Sequence, residues 1–98
     1  MAKASAQRDG DTLHLQGELD FDSVADLWNT TGSLFRAEPI HHIDLSGVHR
    51  SNSAGVALMV EWLRQARLRQ WPLAFVNTPD QMRAIIEVAE LETVLPLA

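Results

Sequence analysis

The feature that most constrains this chain is the junction inside "IDLSGVHRSNSAGVALMVEWLRQARLRQ", residues 43–70. A strand-like apolar run meets a long helical pattern with only a cluster of small polar residues between them. A strand and a helix joined so directly must stack as layers, with the helix laid back over the sheet. The rest of the chain repeats the alternation. Ala2 to Arg8 and Thr12 to Gln16 read as two strands around the Asp9-Gly10 hairpin signal, and Gly17 is expected to end the second. Val24, Leu27, Trp28 and Leu34 recur at helical spacing. Asp22 or Ser23 is placed to cap that helix, and the Asn29 to Gly32 run to fray or break it.

After Glu38-Pro39, the segment with Ile40, Ile43 and Leu45 reads as a buried central strand, although its alternation is imperfect. Gly55 to Gln70 is the strongest helix, ended by Trp71-Pro72 because proline disfavours helical geometry in the residue before it. "LAFVN" makes a short strand, and Thr78-Pro79 reads as an N-cap followed by a first-turn proline opening a helix to about Ala89. Its apolar face is Met82, Ile85, Ile86 and Ala89. "LETVLPLA" could add a last strand, limited by Pro96. The expected fold is therefore α/β: a single domain over residues 1–98 with a central mixed sheet of four to five strands and helices packed against it. The order is β-β-α-β-α-β-α with an optional final strand.

Composition narrows the function. With 46% apolar and 21% charged residues the chain suits an ordinary globular core. A formal charge of -5 argues against nucleic acid or anionic lipid, since phosphate contacts need a basic surface. No cysteine is present, so disulfides and thiolate chemistry are excluded, and a reducing compartment is expected. The first residues carry no apolar run like an export signal, and no segment nears the roughly 18 apolar residues of a membrane span. His41 and His42 are adjacent on a strand and point to opposite faces, a poor start for a metal site even with His14 and His49. The Glu18, Asp20, Asp22 run reads as the solvated entry to the first helix. Neither a GxxxxGK phosphate loop nor any other motif commits the chain to catalysis, so no cofactor and no catalytic residue is expected.

The junction is then the candidate site. Ser51, Asn52 or Ser53 can cap the long helix, a contribution of about 1 kcal/mol. Capping alone does not account for Ala54 and Gly55, because glycine in a helix costs about 1 kcal/mol relative to alanine. Small residues there allow an anion or another backbone to come close. Along the same helix, Met59, Trp62, Leu63 and Ala66 share one face, the expected core, while Ala57, Val60 and Leu68 point largely away among Arg64 and Arg67. A docking face running from Ser53 through Ala57, Val60, Arg64 and Arg67 is one reading; ordinary scattered surface apolars are the other.

These two blocks resemble the STAS-domain family. "GELDFDSVADLW" is similar to that family's entry into its first helix, and "IDLSGVHRSNSAG" to its strand ending in Asp-Leu-Ser followed by a small-residue turn. The resemblance covers nearly the whole chain. In phospho-regulated members the turn carries a serine modified by a partner kinase. With Gly55 on the family's glycine, Asn52 falls on its aspartate, Ser53 on its first hydroxyl and Ala54 on the serine usually phosphorylated. The usual acceptor is missing here, which leaves Ser53 as the possible phosphorylation site.

The short, stand-alone STAS subunits of Mla-type phospholipid transporters are more similar still, with one hydroxyl residue followed by a small residue and glycine. That resemblance implies a non-catalytic subunit on the cytoplasmic face of the inner membrane. It would bind and stabilise or activate an ABC transporter ATPase, and through it meet the permease and lipid-binding subunits that maintain outer-membrane lipid asymmetry. The implied contact residues are Asn52, Ser53, Ala54 and Gly55. The alternative is an anti-sigma factor antagonist switched by serine phosphorylation.

Overall fold

A computed structural model describes residues 3–98, apart from the side chains of Leu34 and Arg36. Four strands, β1 (Ala4–Asp9), β2 (Thr12–Leu19), β3 (His42–Ser51) and β4 (Ala74–Val76), form one mixed sheet in the order β1-β2-β3-β4. Helices α1 (Phe21–Ala37), α2 (Ser53–Leu68) and α3 (Asp80–Val88) complete the order β-β-α-β-α-β-α. The hairpin pairs β1 antiparallel to β2, and β2, β3 and β4 run parallel. Of the expected first strand, Ala2 lies outside the described residues. The optional last strand reduces to one bridge, Leu97 to Phe75, leaving the sheet four-stranded.

The core lies between one face of the sheet and the helices. Leu13, Leu15, Leu19, Ile43, Leu45 and Phe75 point into it and meet Leu27, Phe35, Met59, Trp62, Met82 and Ile86. The imperfect alternation of β3 now has a cause. Two irregularities in the pairing with β2 insert an extra β3 residue each, between His14 and Gln16 and between Gly17 and Glu18. Buried positions therefore step from Ile43 and Leu45 to Val48 and then Ser51, at spacings of two, three and three. Periodicity of two ends at Leu45, but the strand continues to the junction.

Gly17 does not end β2, as expected, but lies inside it. Its φ is +102°, and a Cβ there would meet the Lys3 carbonyl oxygen. Glycine is needed for the irregularity and for the close approach of Lys3, just before β1, whose carbonyl accepts from the Glu18 N–H at 2.9 Å.

Asp20, rather than Asp22 or Ser23, caps α1. Its carboxylate accepts from the Ser23 N–H at 2.9 Å, and the Ser23 hydroxyl accepts from the Asp20 N–H, closing a capping box. Nor does α1 break at Asn29–Gly32. Leu27, Thr31 and Phe35 are all buried, and Thr31 Oγ1 donates to the Leu27 carbonyl at 2.7 Å, so packing overrides weak propensity.

α2 stops at Leu68, before the proline takes effect. Gln70 adopts φ +59°, the Trp71 N–H donates to Ala66 O, and the Gln70 N–H donates to Arg67 O, a Schellman closure. At α3, Pro79 rather than Thr78 holds the N-cap position, because its extended ψ of 150° precedes the first helical bond, from Arg83 N–H to Pro79 O. Thr78 Oγ1 is buried without a partner among the described residues.

Two predictions follow from these positions. Gly17→Ala should lower stability by roughly 2–3 kcal/mol through overpacking and strain, read as a drop in urea midpoint at unchanged slope. The hydrogen bond from Lys3 and then the one from the Ser23 N–H hold the Asp20 carboxyl at about 2, below its ordinary value. Folding therefore favours the carboxylate, and its contribution is complete above about pH 4 and fades as pH falls through about 2. Asp20→Asn should flatten the fall of urea midpoint across that acid window; a profile identical to wild type would contradict this role.

Candidate docking site at the paired helix starts

Residue Leu19 pairs with Ser51 at the C-terminal ends of β2 and β3, and each is followed at once by a helix N-cap, Asp20 and Asn52. Both helices consequently begin side by side at one end of the sheet, where sites in parallel α/β folds collect. Asn52 caps α2, its Oδ1 accepting from the Ala54 N–H at 2.8 Å. Its own N–H donates to Leu19 O at 3.1 Å, tying the two starts together. From α3, Gln81 Oε1 accepts the Ser51 N–H at 3.0 Å. The junction is braced from both sides.

The small residues turn out to serve the interior. Gly55 is buried, and a Cβ on it would meet Ser51 Oγ and come within 3.0 Å of Leu19 Cβ. Ala54 is 3% exposed. The smallness of Gly55 is required by the packing of α2 onto Leu19 and Ser51, an interior demand that stands beside the expected approach of another molecule, while Ala54 also lines the groove between α1 and α2. Asn52, Ser53 and Ala57 are exposed.

The stripe along α2 divides. Ala57 lines a largely apolar groove of about 340 Å³ between the first halves of α1 and α2, walled by Phe21, Val24, Trp28, Leu58 and Glu61. Val60, Arg64 and Arg67 line a different one, with Leu68 and Val94. Arg64 is engaged by Glu61 within α2 at 2.6 Å, and that hydrogen bond raises the Arg64 pKa and lowers that of Glu61. The structure thus separates Ser53 and Ala57 from Arg64 and Arg67.

Sequence reasoning missed Phe21, which is 72% exposed on the rim of the first groove. Its signal was present as a lone aromatic between two acids in "LDFDS", where nothing in the helical pattern needed it.

The acidic run is part of the same end. Lys3 Nζ lies 2.8 Å from Asp20 Oδ2, and Glu18, Asp20, Arg50, Asn52 and Gln81 surround a polar cleft of about 380 Å³. The histidines are scattered: His14 Nδ1 is 3.1 Å from Asp44 Oδ2, His41 Nδ1 is 2.7 Å from Pro72 O, His42 is exposed, and exposed His49 lies 3.9 Å from Glu18 Oε1 at this end. Burial works to raise the Asp44 pKa, but the Ser46 N–H, Asn77 and His14 hydrogen bonds outweigh it and lower it. Among the described residues no group of three or more His, Asp or Glu side chains could hold a metal ion, and no helix is long and apolar enough to cross a membrane.

Comparison with known proteins agrees with this architecture. The family model described as "Mlab, STAS domain" matches residues 2–96. Similar folds include an anti-sigma factor antagonist from Thermotoga maritima (TM-score 0.77, 14% identity, covering 95% of this chain and 83% of that one). One from Mycobacterium paratuberculosis gives 0.73 at 19% identity, covering 96% and 82%. The antagonist SpoIIAA in its unphosphorylated form gives 0.70 at 15%, covering 97% and 86%. No curated protein matches the chain.

Asn52→Ala should cost about 1 kcal/mol by removing the α2 cap, measured by chemical denaturation; no loss would mean that the Ala54 N–H finds another acceptor.

Proposed function

This chain belongs to the STAS-domain family, and on that premise we propose that it is a non-catalytic docking subunit for the ATPase of an ABC transporter that moves phospholipids. The observation that carries the reading is the burial of Ala54 at the position where switch-type members present their phosphorylated serine. No hydroxyl exists there, while exposed Ala57 lines the apolar groove under Phe21, and Asn52 and Ser53 stand exposed at the start of the same helix. An apolar groove with an exposed aromatic on its rim suits a constitutive protein contact, where aromatic anchors contribute most. The family description across residues 2–96 supports the same assignment. In this reading the subunit works at the cytoplasmic face of the inner membrane, stabilising or activating the ATPase, and meets the permease and lipid-binding subunits through it. Val60, Arg64 and Arg67 would extend the contact along α2, with Arg64 presented by Glu61.

A second reading is favoured by one observation. Ser53 is exposed in the first turn of α2, where a phosphate would be tolerated by the helix dipole. The chain would then be an anti-sigma factor antagonist, controlled by phosphorylation of Ser53.

Affinity purification of tagged wild type beside Ser53→Glu separates the two. An unpaired carboxylate in a packed contact should weaken binding by a few kcal/mol, on the order of a hundredfold. Recovery of an ABC ATPase with its permease, lost in the variant, is expected. An ATPase recovered equally with both would remove Ser53 from the contact. A serine kinase in its place, with added phosphate in the intact mass, would establish the antagonist reading.

A further inference from the structure

The groove between the first halves of α1 and α2 has a form that selects what can fill it. On α1 its wall runs from Phe21 to Trp28, and on α2 from Ala54 to Glu61, a step of two helical turns in each case. Both walls are therefore about 10 Å long at 1.5 Å per residue. Ala25 separates Phe21 from Trp28 along α1, and Ala54 and Ala57 line the opposite side. Large anchors alternate with places where another element can come close.

The lining decides the backbone of the occupant. Apart from the Trp28 indole, its one polar side chain is Glu61, whose carboxylate already accepts from Arg64 Nη2 at 2.6 Å and from Gln65 Nε2 at 3.4 Å. An extended segment laid there would leave its own N–H and C=O groups against apolar walls, unpaired and costly. An α-helix pairs those groups within itself. It presents side chains at i, i+3 or i+4, and i+7, a spacing that matches a groove two turns long.

Charge decides the flanks. No basic residue is among those lining the groove. Asp22 and Asp26 are both exposed, one turn apart along α1 and next in sequence to the lining residues Phe21 and Ala25. Lys3 Nζ is 2.8 Å from Asp20 and only 3.9 Å from Asp22, and the Asp26 carboxylate has no ion pair among the described residues. On α2, Arg64 is held by Glu61. A second copy of the chain, with its own formal charge of -5, is a poor match for such a rim.

We propose that this groove takes an amphipathic helix of the partner protein, with apolar anchors two turns apart against Phe21 and Trp28 and with lysine or arginine on the flank that meets Asp22 and Asp26. The proposal rests on the docking reading above and names the segment that docks.

The test places photoreactive benzoylphenylalanine at position 21 of the full tagged chain in its own cells, where the 72% exposure of Phe21 leaves the core untouched. Mass spectrometry reads the cross-linked peptide. An apolar segment of helical period flanked by Lys or Arg is expected; a segment of strand period, an acidic segment, a second copy of this chain or no adduct at all would overturn the proposal. The recovered segment, made as a synthetic peptide, is then titrated by calorimetry. Phe21→Ala should weaken its binding about tenfold or more. Asp26→Lys should weaken it roughly tenfold at low salt, with the difference shrinking at high salt, and both variants should keep the wild-type urea midpoint. Binding of wild-type strength by folded Asp26→Lys would overturn the basic flank. The protein from which the segment comes tests the transporter reading separately: a basic helix from a protein other than an ATPase would uphold this occupant and remove that reading.

Discussion

The pairing of Leu19 with Ser51 is the constraint on which the rest depends. Because each strand passes directly into an N-cap, that one register position sets where α1 and α2 begin, and so how closely they lie. The Asn52 N–H bond to Leu19 O and the fit of Gly55 over Leu19 and Ser51 hold it from above. Side by side from their first turns, the two helices leave an apolar groove near their starts and a smaller cavity farther along, sharing Trp28.

Two kinds of demand meet at the junction. Stability asks for caps and small residues, which Asn52, Ala54 and Gly55 satisfy inside the protein. In the proposed docking role, recognition would fall to residues that stability does not use: Ser53 and Ala57, both exposed, and Phe21, whose ring contributes little to the core at 72% exposure. An exposed aromatic beside a groove is the sort of group that is desolvated only on binding. The folded chain thus distributes the two demands over neighbouring positions instead of asking one residue to meet both.

Much of the architecture was legible because it rests on local physics. The order of strands and helices, the hairpin at Asp9-Gly10 and the core face Met59, Trp62, Leu63 and Ala66 all follow from turn chemistry and periodicity. The failures were of another kind. Gly17 reads as a strand end, but it lies inside β2, where the Lys3 and Ala4 backbone of the paired hairpin strand comes too close for a side chain. Asn29 to Gly32 reads as a break, but Thr31 is held by the core. Beyond Leu45, β3 loses the two-residue period because it carries two extra residues against β2.

The sequence by itself determined the α/β class and the capped junction, because strand and helix periods and N-cap residues act within a few positions of one another; the family entered only as a resemblance of its motifs, which the family model then showed. Only the tertiary structure decided that Gly55 and Ala54 face inward, that Ala57 parts company with Arg64 and Arg67, and that Phe21 joins Ser53 at one end of the sheet. Those facts depend on the register between β2 and β3, which sets distances between residues more than thirty positions apart and which no local pattern encodes.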